Sequence, residues 1–342
     1  MASRLNDVLR RYGAEIVRAD VQYKEQRVRI DKRWWNNGTL PDDAVSCLKA
    51  DNPKLIDLQR RYEACDPDVT TPFVWAGRHL RPEDIVYFRG HNAWVLQVRR
   101  RGKGVDDFAY AITLYYLKSI DRLGLLDTLG EDESFGNFTF TIAGRQVSRD
   151  LLDSLAEIYF LDRHLEVSSR EGFRVLDVGA GYGRLAHRMA NALPGIESIF
   201  CTDAVAVSTF VSDYYLRFRG VEKARVIPLD EIDNALSEHP VDLAINIHSF
   251  SECRPQAIEW LTVSLKTPPL ICGLRGLGLE RGPHAKVSIQ RSSNRRDPQG
   301  AQGRFERGRP VPQTWHQHGD ALQLAREIRR PRDERSGASQ AA

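Results

Sequence analysis

Short apolar runs alternate with amphipathic stretches in the second half of the sequence, from residue 173 onward. The apolar runs have the length of buried strands, and the stretches between them carry apolar residues at helical spacing. Strands are predicted at residues 174–178, 198–202, 224–228 and 241–246, and helices at 184–193, 207–217 and 232–237. Strands that alternate with helices form parallel βαβ units. The pattern therefore predicts an α/β fold whose parallel sheet is covered by helices on both faces.

The first 165 residues have a different pattern, in which most apolar residues recur at helical spacing. Helices are predicted over residues 1–30, 53–63, 110–126 and 151–165, the last with Ser148 as its N-cap. Strand pairs are predicted at 85–88 with 93–99 and at 138–142 with 146–147, each around a turn sequence. We expect a mostly helical region with a small hairpin.

The sequence after residue 280 has neither pattern. Of its 62 residues, 35 are Arg, Gln, Gly, Pro or Ser, so it has too few apolar groups to offset the entropy of ordering. Residues 270–272 indicate part of a fifth strand, but nothing after residue 281 is patterned as a strand. The sheet is expected to end after four or five parallel strands with an uncovered edge.

These patterns divide the chain into three parts. They are an N-terminal region (1–165), an α/β domain (166–280) and a basic, disordered tail (281–342). The candidate helix in that tail is residues 320–330, and its apolar stripe is too narrow to anchor the segment to the rest of the protein.

Composition and charge exclude several classes of protein. The chain of 342 residues is 42% hydrophobic and 28% charged, which is typical of a soluble globular protein, and its longest apolar run is too short for a transmembrane segment. The first 280 residues carry 36 Lys and Arg against 40 Asp and Glu, so we expect no nucleic-acid binding. Five scattered cysteines and no signal-peptide pattern indicate a reduced, cytoplasmic protein without a metal site. The sequence does not indicate an oligomeric state.

The most informative segment is the turn between the first strand and the first helix of the α/β domain. It reads Asp177-Val178-Gly179-Ala180-Gly181-Tyr182-Gly183-Arg184. Glycines at such a turn let the backbone approach a ligand closely, and the helix N-terminus presents unpaired N–H groups. The dinucleotide-binding fingerprint needs a small residue where Arg184 stands, so that alternative is disfavoured.

An acid followed by this spacing of glycines resembles motif I of the class I S-adenosylmethionine-dependent methyltransferases. The resemblance implies a Rossmann-like sheet with S-adenosylmethionine as the cofactor. It also implies that the glycine loop, residues 179–183, passes beneath the methionine portion of the cofactor, and that Asp177 helps to bind its ammonium group. The alternative is a glycine-rich turn with a purely architectural role.

Polar residues at the ends of the next strands fit the same interpretation. Asp203 follows the second strand, where an acid accepts hydrogen bonds from both ribose hydroxyls; the alternative is a solvated strand end. Asp230 follows the third strand, where the family often contacts the adenine amino group; the alternative is a cap for the next helix. Asn246 ends the fourth strand and is expected at the cofactor site.

The segment after the fourth strand supplies the candidates for catalysis. A hydroxyl acceptor must lose its proton as it attacks a methyl group, and histidine is a suitable base near neutral pH. His248 is therefore predicted to be the general base, with Glu252 as its orienter or as the alternative base. A structural histidine is the other interpretation.

The glycine loop, residues 246–252 and the aromatic-rich N-terminal region together resemble the bacterial sugar O-methyltransferase family. The resemblance covers residues 75–262 and implies that the acceptor is a sugar hydroxyl of a glycan or glycolipid. On this interpretation, residues 1–165 form the acceptor-binding and lid region. Candidates for contact with the acceptor are Trp34, Trp35, Arg89, His91 and Trp94. Core packing is the alternative for the aromatic residues among them.

The absence of a pattern for the last strands leaves other interpretations open. The tail is either a genuine basic extension or an out-of-frame translation that begins near residues 262–270. In the second case the chain is a truncated, inactive methyltransferase-like remnant or a binding module. A third interpretation is a methyltransferase that acts on another small molecule or on a protein. Only the identity of the acceptor distinguishes it from a sugar O-methyltransferase.

Overall fold

A computed structural model of the chain describes residues 21–22, 39–70, 85–90, 107–247, 249–251, 253–264, 270–274 and 288–290. All of these residues belong to one structural unit, Ala19–Asn294. The predicted strand at 93–99 and all of the predicted tail except residues 288–290 lie outside the described residues.

The described helices and strands follow the predicted alternation from residue 173 onward. The helices are α1 (Ala44–Cys47), α2 (Pro53–Glu63), α3 (Pro67–Thr70), α4 (Asp107–Ile120), α5 (Leu125–Thr128), α6 (Arg149–Leu165), α7 (Arg184–Ala192), α8 (Ala206–Phe218), α9 (Ile232–Glu238) and α10 (Pro255–Ser264). The strands are β1 (Val21–Gln22), β2 (Phe140–Ile142), β3 (Arg145–Val147), β4 (Phe173–Val178), β5 (Ile196–Thr202), β6 (Ala224–Val226), β7 (Leu243–Ile247), β8 (Leu270–Leu274) and β9 (Ser288–Gln290). Among the described residues, no helix has the length and apolar content needed to cross a membrane.

Six strands form one sheet in the order β6-β5-β4-β7-β8-β9. The neighbours from β6 to β8 run parallel, which confirms the four predicted strands and the fifth one. The prediction that no strand follows residue 281 was wrong, because Ser288–Gln290 pairs antiparallel with residues 271–273 of β8. This strand has one apolar residue in three, so its backbone hydrogen bonds define it rather than an apolar pattern. The sheet therefore does not end at the fifth strand.

The chain changes its direction across the sheet between β6 and β7. From β4 it moves outward to β5 and β6, and then it returns to the other side of β4 to form β7. In open α/β sheets, ligands bind at such a switch point, in the crevice outside the carboxyl ends of the strands. Val178 and Asn246 are paired in register at this place. The fold therefore brings the glycine loop and residues 246–251 to the same edge of the sheet.

Consecutive residues of β4 point to opposite faces of the sheet and so pack in two different hydrophobic clusters. Val175 packs in a cluster with Leu114 of α4 and Leu155 of α6, whereas Leu176 packs with Leu236 of α9 on the opposite face. Helices therefore cover both faces of the sheet, as predicted. The cluster around Val175 therefore contains residues from both sides of the predicted domain boundary at residue 165. The division of the chain into three domains stays a prediction.

A third cluster joins α2 to α8. The Asn52 side chain accepts a hydrogen bond from the N–H of Lys54 at 2.9 Å, and Pro53 occupies the first turn, so the predicted bounds of α2 are confirmed. Tyr62 of α2 packs in the cluster that contains Phe210 of α8. Its hydroxyl accepts a hydrogen bond from the N–H of Leu229 at 2.9 Å, which connects α2 to the turn after β6.

Two predictions near the start of α6 are confirmed. Strands β2 and β3 form the small hairpin, with Ala143 and Gly144 at positive φ of 51° and 76° in its two-residue turn. Ser148 caps α6, since its hydroxyl oxygen accepts a hydrogen bond from the N–H of Leu151 at 3.1 Å.

Three other local predictions are corrected. Residues 85–90 form a turn rather than a strand, because the N–H of Arg89 bonds to Phe135 O at 3.1 Å and not to a neighbouring strand. Val21–Gln22 pair with β2 instead of continuing a helix. The predicted helix over 110–126 is interrupted at Asp121, whose carboxylate accepts the N–H of Leu125 at 2.8 Å and so begins α5.

Candidate functional site

The glycine loop connects β4 to α7 and has a backbone that only glycine adopts readily. Gly179, Gly181 and Gly183 have positive φ of 71°, 58° and 83°, the left-handed region in which a Cβ atom is strained. The N–H groups of Gly179 and Ala180 both donate to Thr202 O, at 2.9 and 3.1 Å. The loop is therefore attached to the end of β5 at the switch point of the sheet.

Two of these glycines make room for the protein itself. A Cβ atom at Gly179 would collide with the Ser249 side chain, and one at Gly183 would lie 2.9 Å from Ser212 Oγ. The sequence predicted that the missing side chains admit a ligand. At these two positions, the space is taken instead by residues of the turn after β7 and of α8.

Asp177 is the acid at the base of the loop. It is 3% exposed and is paired in register with Cys201 of β5 and Ile245 of β7. Within the described part of the chain, no group donates a hydrogen bond to its carboxylate. Burial raises the pKa of Asp177 to about 7, although the nearby charge of Arg184 acts in the opposite direction. This carboxyl group is poised to accept a positive charge.

A cleft of about 130 Å³ opens beside Asp177. Its lining residues are Asp177, Gly179, Ala180, Gly181, Tyr182, Arg184, Leu185 and Ile247. The sequence-predicted residues of the glycine loop and Asp177 therefore lie around one cavity at the switch point. Leu185 and Ile247 add an apolar part to its wall.

Arg184, the first residue of α7, supplies no free positive charge to this cleft. Its Nη1 and Nη2 donate to the two carboxylate oxygens of Glu157 in α6, each at 2.9 Å, and Nη1 also donates to Ser154 Oγ at 2.8 Å. A bidentate pair of this kind neutralises both partners. Among the described residues that line the cleft, Asp177 is thus the ionisable group without a hydrogen-bonded partner.

Asp203 lies directly after β5 and shapes the loop. Its Oδ2 accepts the N–H of Gly181 at 2.9 Å, and its Oδ1 accepts the N–H of Val205 at 2.9 Å. A carboxylate oxygen accepts more than one hydrogen bond, so this arrangement still permits a ligand hydroxyl to bind. The predicted ribose contact stays a prediction.

Asn246 is at the site, but its side chain is used by the protein. It is 2% exposed; its Nδ2 donates to Val178 O at 2.8 Å, and its Oδ1 accepts the N–H of Phe250 at 3.0 Å. Nδ2 also donates to Ser249 Oγ. Asn246 therefore holds the turn Ser249–Ser251 against the end of β4. Both hydrogens of its Nδ2 are used in this way, whereas its Oδ1 accepts one bond and can accept a second.

Asp230 is engaged in an ion pair. Both of its carboxylate oxygens accept hydrogen bonds from Arg61 of α2, at 2.8 Å each, and Glu231 binds the same guanidinium group. No side-chain cap is present at the start of α9. The predicted cap of α9 is therefore absent, whereas the predicted adenine contact stays a prediction.

Several predicted residues lie outside the described residues. They are His248, Glu252, Trp34, Trp35, His91 and Trp94. The predicted general base, its partner and the aromatic acceptor contacts are therefore untested.

Arg89 is the exception among the acceptor candidates, and its prediction was wrong. It is fully buried and binds Glu131 Oε1 at 2.6 Å and Asp132 Oδ1 at 2.9 Å. Arg188 binds the other oxygen of Glu131 at 3.0 Å, and Arg219 also binds Asp132. We call these five residues the charge cluster. Since Arg89 is enclosed by it, this side chain cannot contact an acceptor.

The sequence interpretation missed the polar residues of α6. Asp150, Ser154 and Glu157 recur at helical spacing, and all three are buried. A polar stripe at this spacing beside a leucine stripe was the available signal. It indicates a buried polar contact, and in the structure that contact is with Tyr182 and Arg184 of the loop and α7.

Comparison with known proteins adds the following. No family model and no curated protein matches the chain, so the likeness to sugar O-methyltransferases depends on the quoted motifs alone. Among solved structures, an S-adenosylmethionine-dependent methyltransferase from Thiobacillus denitrificans, in complex with S-adenosylhomocysteine, is 21% identical over 36% of this chain and 51% of that one, with a TM-score of 0.27.

Two further solved structures are similar over about a third of the chain. The precorrin 8w decarboxylase of Methanobacterium thermoautotrophicum is 20% identical over 35% of this chain and 63% of that one, with a TM-score of 0.27. The precorrin-6y C5,15-methyltransferase of Geobacter metallireducens is 13% identical over 32% and 57%, with a TM-score of 0.26. The chain thus spans between half and two thirds of the length of these structures. At such low TM-scores, the likeness does not identify the function of this chain.

Proposed function

We propose that this protein is an S-adenosylmethionine-dependent methyltransferase. The observation that carries the proposal is the Asp177 carboxylate, which is buried on the wall of the cleft at the switch point of the sheet. Within the described residues nothing donates a hydrogen bond to it, and the nearby Arg184 is bound to Glu157. A buried carboxylate in such surroundings is stabilised by a bound cation. The ammonium group of an amino-acid ligand is a cation of suitable size.

The residues present fit S-adenosylmethionine. Asp177 would hold its ammonium group, the glycine loop would lie beneath its methionine portion, and Asp203 would accept hydrogen bonds from its ribose hydroxyls. When bound, this cofactor supplies a methyl group on a positively charged sulfur atom. The apolar side chains of Leu185 and Ile247 line the same cleft.

A dinucleotide fits the site less well than this cationic cofactor. Its pyrophosphate is an anion, and it would lie beside the buried carboxylate of Asp177. In addition, Arg184 stands where the dinucleotide fingerprint has glycine or alanine. Both the charge and the size of the residues therefore favour S-adenosylmethionine.

For the acceptor we propose a sugar hydroxyl of a glycan or glycolipid, with His248 as the base that removes its proton and Glu252 as its orienter. Their neighbours in sequence support this assignment, because Ile247 lines the cleft and Ser249 contacts the glycine loop. A hydroxyl acceptor needs a base within hydrogen-bond distance during methyl transfer.

Isothermal titration with S-adenosylhomocysteine tests the cofactor. The wild-type protein is expected to bind it with a dissociation constant on the order of 1–100 μM. The Gly181→Arg variant, which places a long side chain in the loop, is expected not to bind while its circular dichroism spectrum is unchanged. Absence of binding by the folded wild-type protein would refute the proposal.

Methyl transfer to sugars tests the acceptor. With a sugar-containing acceptor and S-adenosylmethionine, mass spectrometry should detect a gain of one methyl group. His248→Ala should lower turnover about 10²–10⁴-fold and leave cofactor affinity nearly unchanged. Cofactor binding without transfer to any sugar would contradict the sugar assignment and favour another acceptor or a non-catalytic binding module.

A further inference from the structure

Tyr182 is the residue of the glycine loop whose side chain is buried inside the protein. It is 3% exposed, and its hydroxyl donates a hydrogen bond to Asp150 Oδ2 in α6. Its ring packs against Phe88, with ring centroids 5.1 Å apart, and against Tyr215 of α8, with centroids 5.2 Å apart. A loop of three left-handed glycines is thus attached to the protein interior at its fourth residue.

Asp150 is itself held in place. It lies in the first turn of α6, two residues after the Ser148 cap, where the positive end of the helix dipole favours a carboxylate. The Nε of Arg89 lies 3.7 Å from its Oδ2. The acceptor of the Tyr182 hydrogen bond is therefore oriented by α6 on one side and by the charge cluster on the other.

Residues 85–90 close the other side of Tyr182. Phe88 is fully buried and stacks on Phe135, with ring centroids 4.6 Å apart, and the adjacent Arg89 belongs to the charge cluster. This segment is far from the loop in sequence but contacts it directly. The geometry of the loop therefore depends on a part of the chain that the sequence analysis assigned to a separate region.

We propose that Tyr182 and Asp150 are positioning residues, which hold the glycine loop in the conformation that binds the ligand. Glycine loses more conformational freedom on ordering than any other residue, so a loop with three of them needs an attachment. Without it, the competent conformation is less populated and the apparent affinity falls by the same factor. The part of this inference that concerns affinity rests on the proposed function; the part that concerns the loop does not.

The chain offers a matched control for the test. Tyr159 of α6 is likewise buried, and its hydroxyl donates to a carboxylate, that of Asp121, on a side of α6 where no residue of the loop is involved. Tyr182→Phe and Tyr159→Phe each remove one hydroxyl and one tyrosine–aspartate hydrogen bond. Tyr159→Phe also removes the acceptor of the Leu123 N–H, which lies 3.3 Å from the hydroxyl, so it is expected to cost at least as much stability as Tyr182→Phe.

Hydrogen exchange of the ligand-free protein tests the loop itself. In Tyr182→Phe, the amides of residues 179–183 are expected to exchange about 5–20 times faster, whereas those of β7 keep their wild-type rates. Tyr159→Phe should leave the loop amides unchanged. Asp150→Asn, which keeps an oxygen acceptor but removes its charge, provides a second variant and should accelerate the same amides.

Titration with S-adenosylhomocysteine tests the consequence for binding. Tyr182→Phe should weaken binding about 5–20-fold, and Tyr159→Phe less than about twofold. If wild type binds and both variants bind equally well, the positioning role is refuted while the proposed function stands. If wild type does not bind, the proposed function is refuted, and the exchange result alone decides whether Tyr182 orders the loop. Equal exchange in the loops of both variants refutes the inference in either case.

Discussion

Two buried carboxyl groups of this protein, Glu131 and Asp177, differ in their partners. Glu131, in the charge cluster, has two arginines at 2.6 and 3.0 Å. Asp177, at the cleft, has no hydrogen-bond donor within the described residues. Burial raises the pKa of both, but Arg89 and Arg188 overcome this at Glu131 and lower its pKa, whereas the pKa of Asp177 rises to about 7.

The comparison shows how a structural charge is distinguished from a ligand-binding one. Burying a charge costs free energy unless one of two conditions holds. Either the charge has partners inside the protein, or a bound ligand serves as its partner. The cluster at Glu131 meets the first condition and joins residues 85–90 to α7 and α8. At the cleft, Asp177 has no hydrogen-bonded partner among the described residues, and we propose that a ligand meets the second condition. Four predictions test this distinction.

The largest effect is expected where the charge cluster is broken. Arg89→Met leaves Glu131 and Asp132 without their shared cation and should lower the free energy of unfolding by about 3–5 kcal/mol. Urea denaturation followed by circular dichroism measures this value. The control is Arg145→Met, which removes a pair with the exposed Asp127 and should cost less than about 0.5 kcal/mol. Equal losses in the two variants would show that the cluster is no more structural than a surface pair.

At the cleft, removal of the charge should affect binding rather than folding. Asp177→Asn is expected to weaken S-adenosylhomocysteine binding about 10–100-fold, because the ligand ammonium loses a charged partner. The same variant should unfold at the same temperature as wild type or a higher one at pH 8. Titration calorimetry and a thermal melt measure the two effects. A destabilised variant with normal affinity would mean that Asp177 is a structural residue.

The pH dependence sharpens the same contrast. Because the pKa of Asp177 is raised to about 7 in the folded protein, its ionisation opposes folding. Its contribution to stability is fully present below the unfolded-state pKa, near 4, and is lost as the pH rises through about 7.

Binding of a cation has the opposite sign, since only the carboxylate form attracts it. Affinity for S-adenosylhomocysteine should therefore rise between pH 5 and pH 7, by up to about tenfold per unit, and level off above pH 8. Calorimetry over this range should show the slope in wild type and its loss in Asp177→Asn. An equal slope in both proteins would assign the pH dependence to another group.

Much of this fold was predictable, and the exceptions have a common cause. Helix α2 was predicted with its observed bounds, because its start at Asn52 and Pro53 depends on its own local sequence. The glycine loop was predicted from Asp177 and the spacing of the glycines after it. Arg89 was misassigned because its partners, Glu131 and Asp132, are more than 40 residues away and no periodicity connects them. Local patterns predict elements and turns, whereas the pairing of buried charges and of a strand such as β9 depends on the assembled fold.

The smallest effects are expected at the turn after β6, where the sequence predicted an adenine contact for Asp230. Arg61 and Asp230 are 27% and 29% exposed, so their pair is solvated and should contribute less than about 1 kcal/mol to stability. Since Arg61 already occupies the carboxylate, Arg61→Met and Asp230→Asn should each change the affinity for S-adenosylhomocysteine by less than about twofold. Titration calorimetry of the two variants with S-adenosylhomocysteine measures these changes in affinity. If Asp230→Asn weakens binding about tenfold while Arg61→Met strengthens it, the Asp230 carboxylate exchanges Arg61 for the ligand. Asp230 is then a ligand-binding charge like Asp177 and not a structural charge like Glu131.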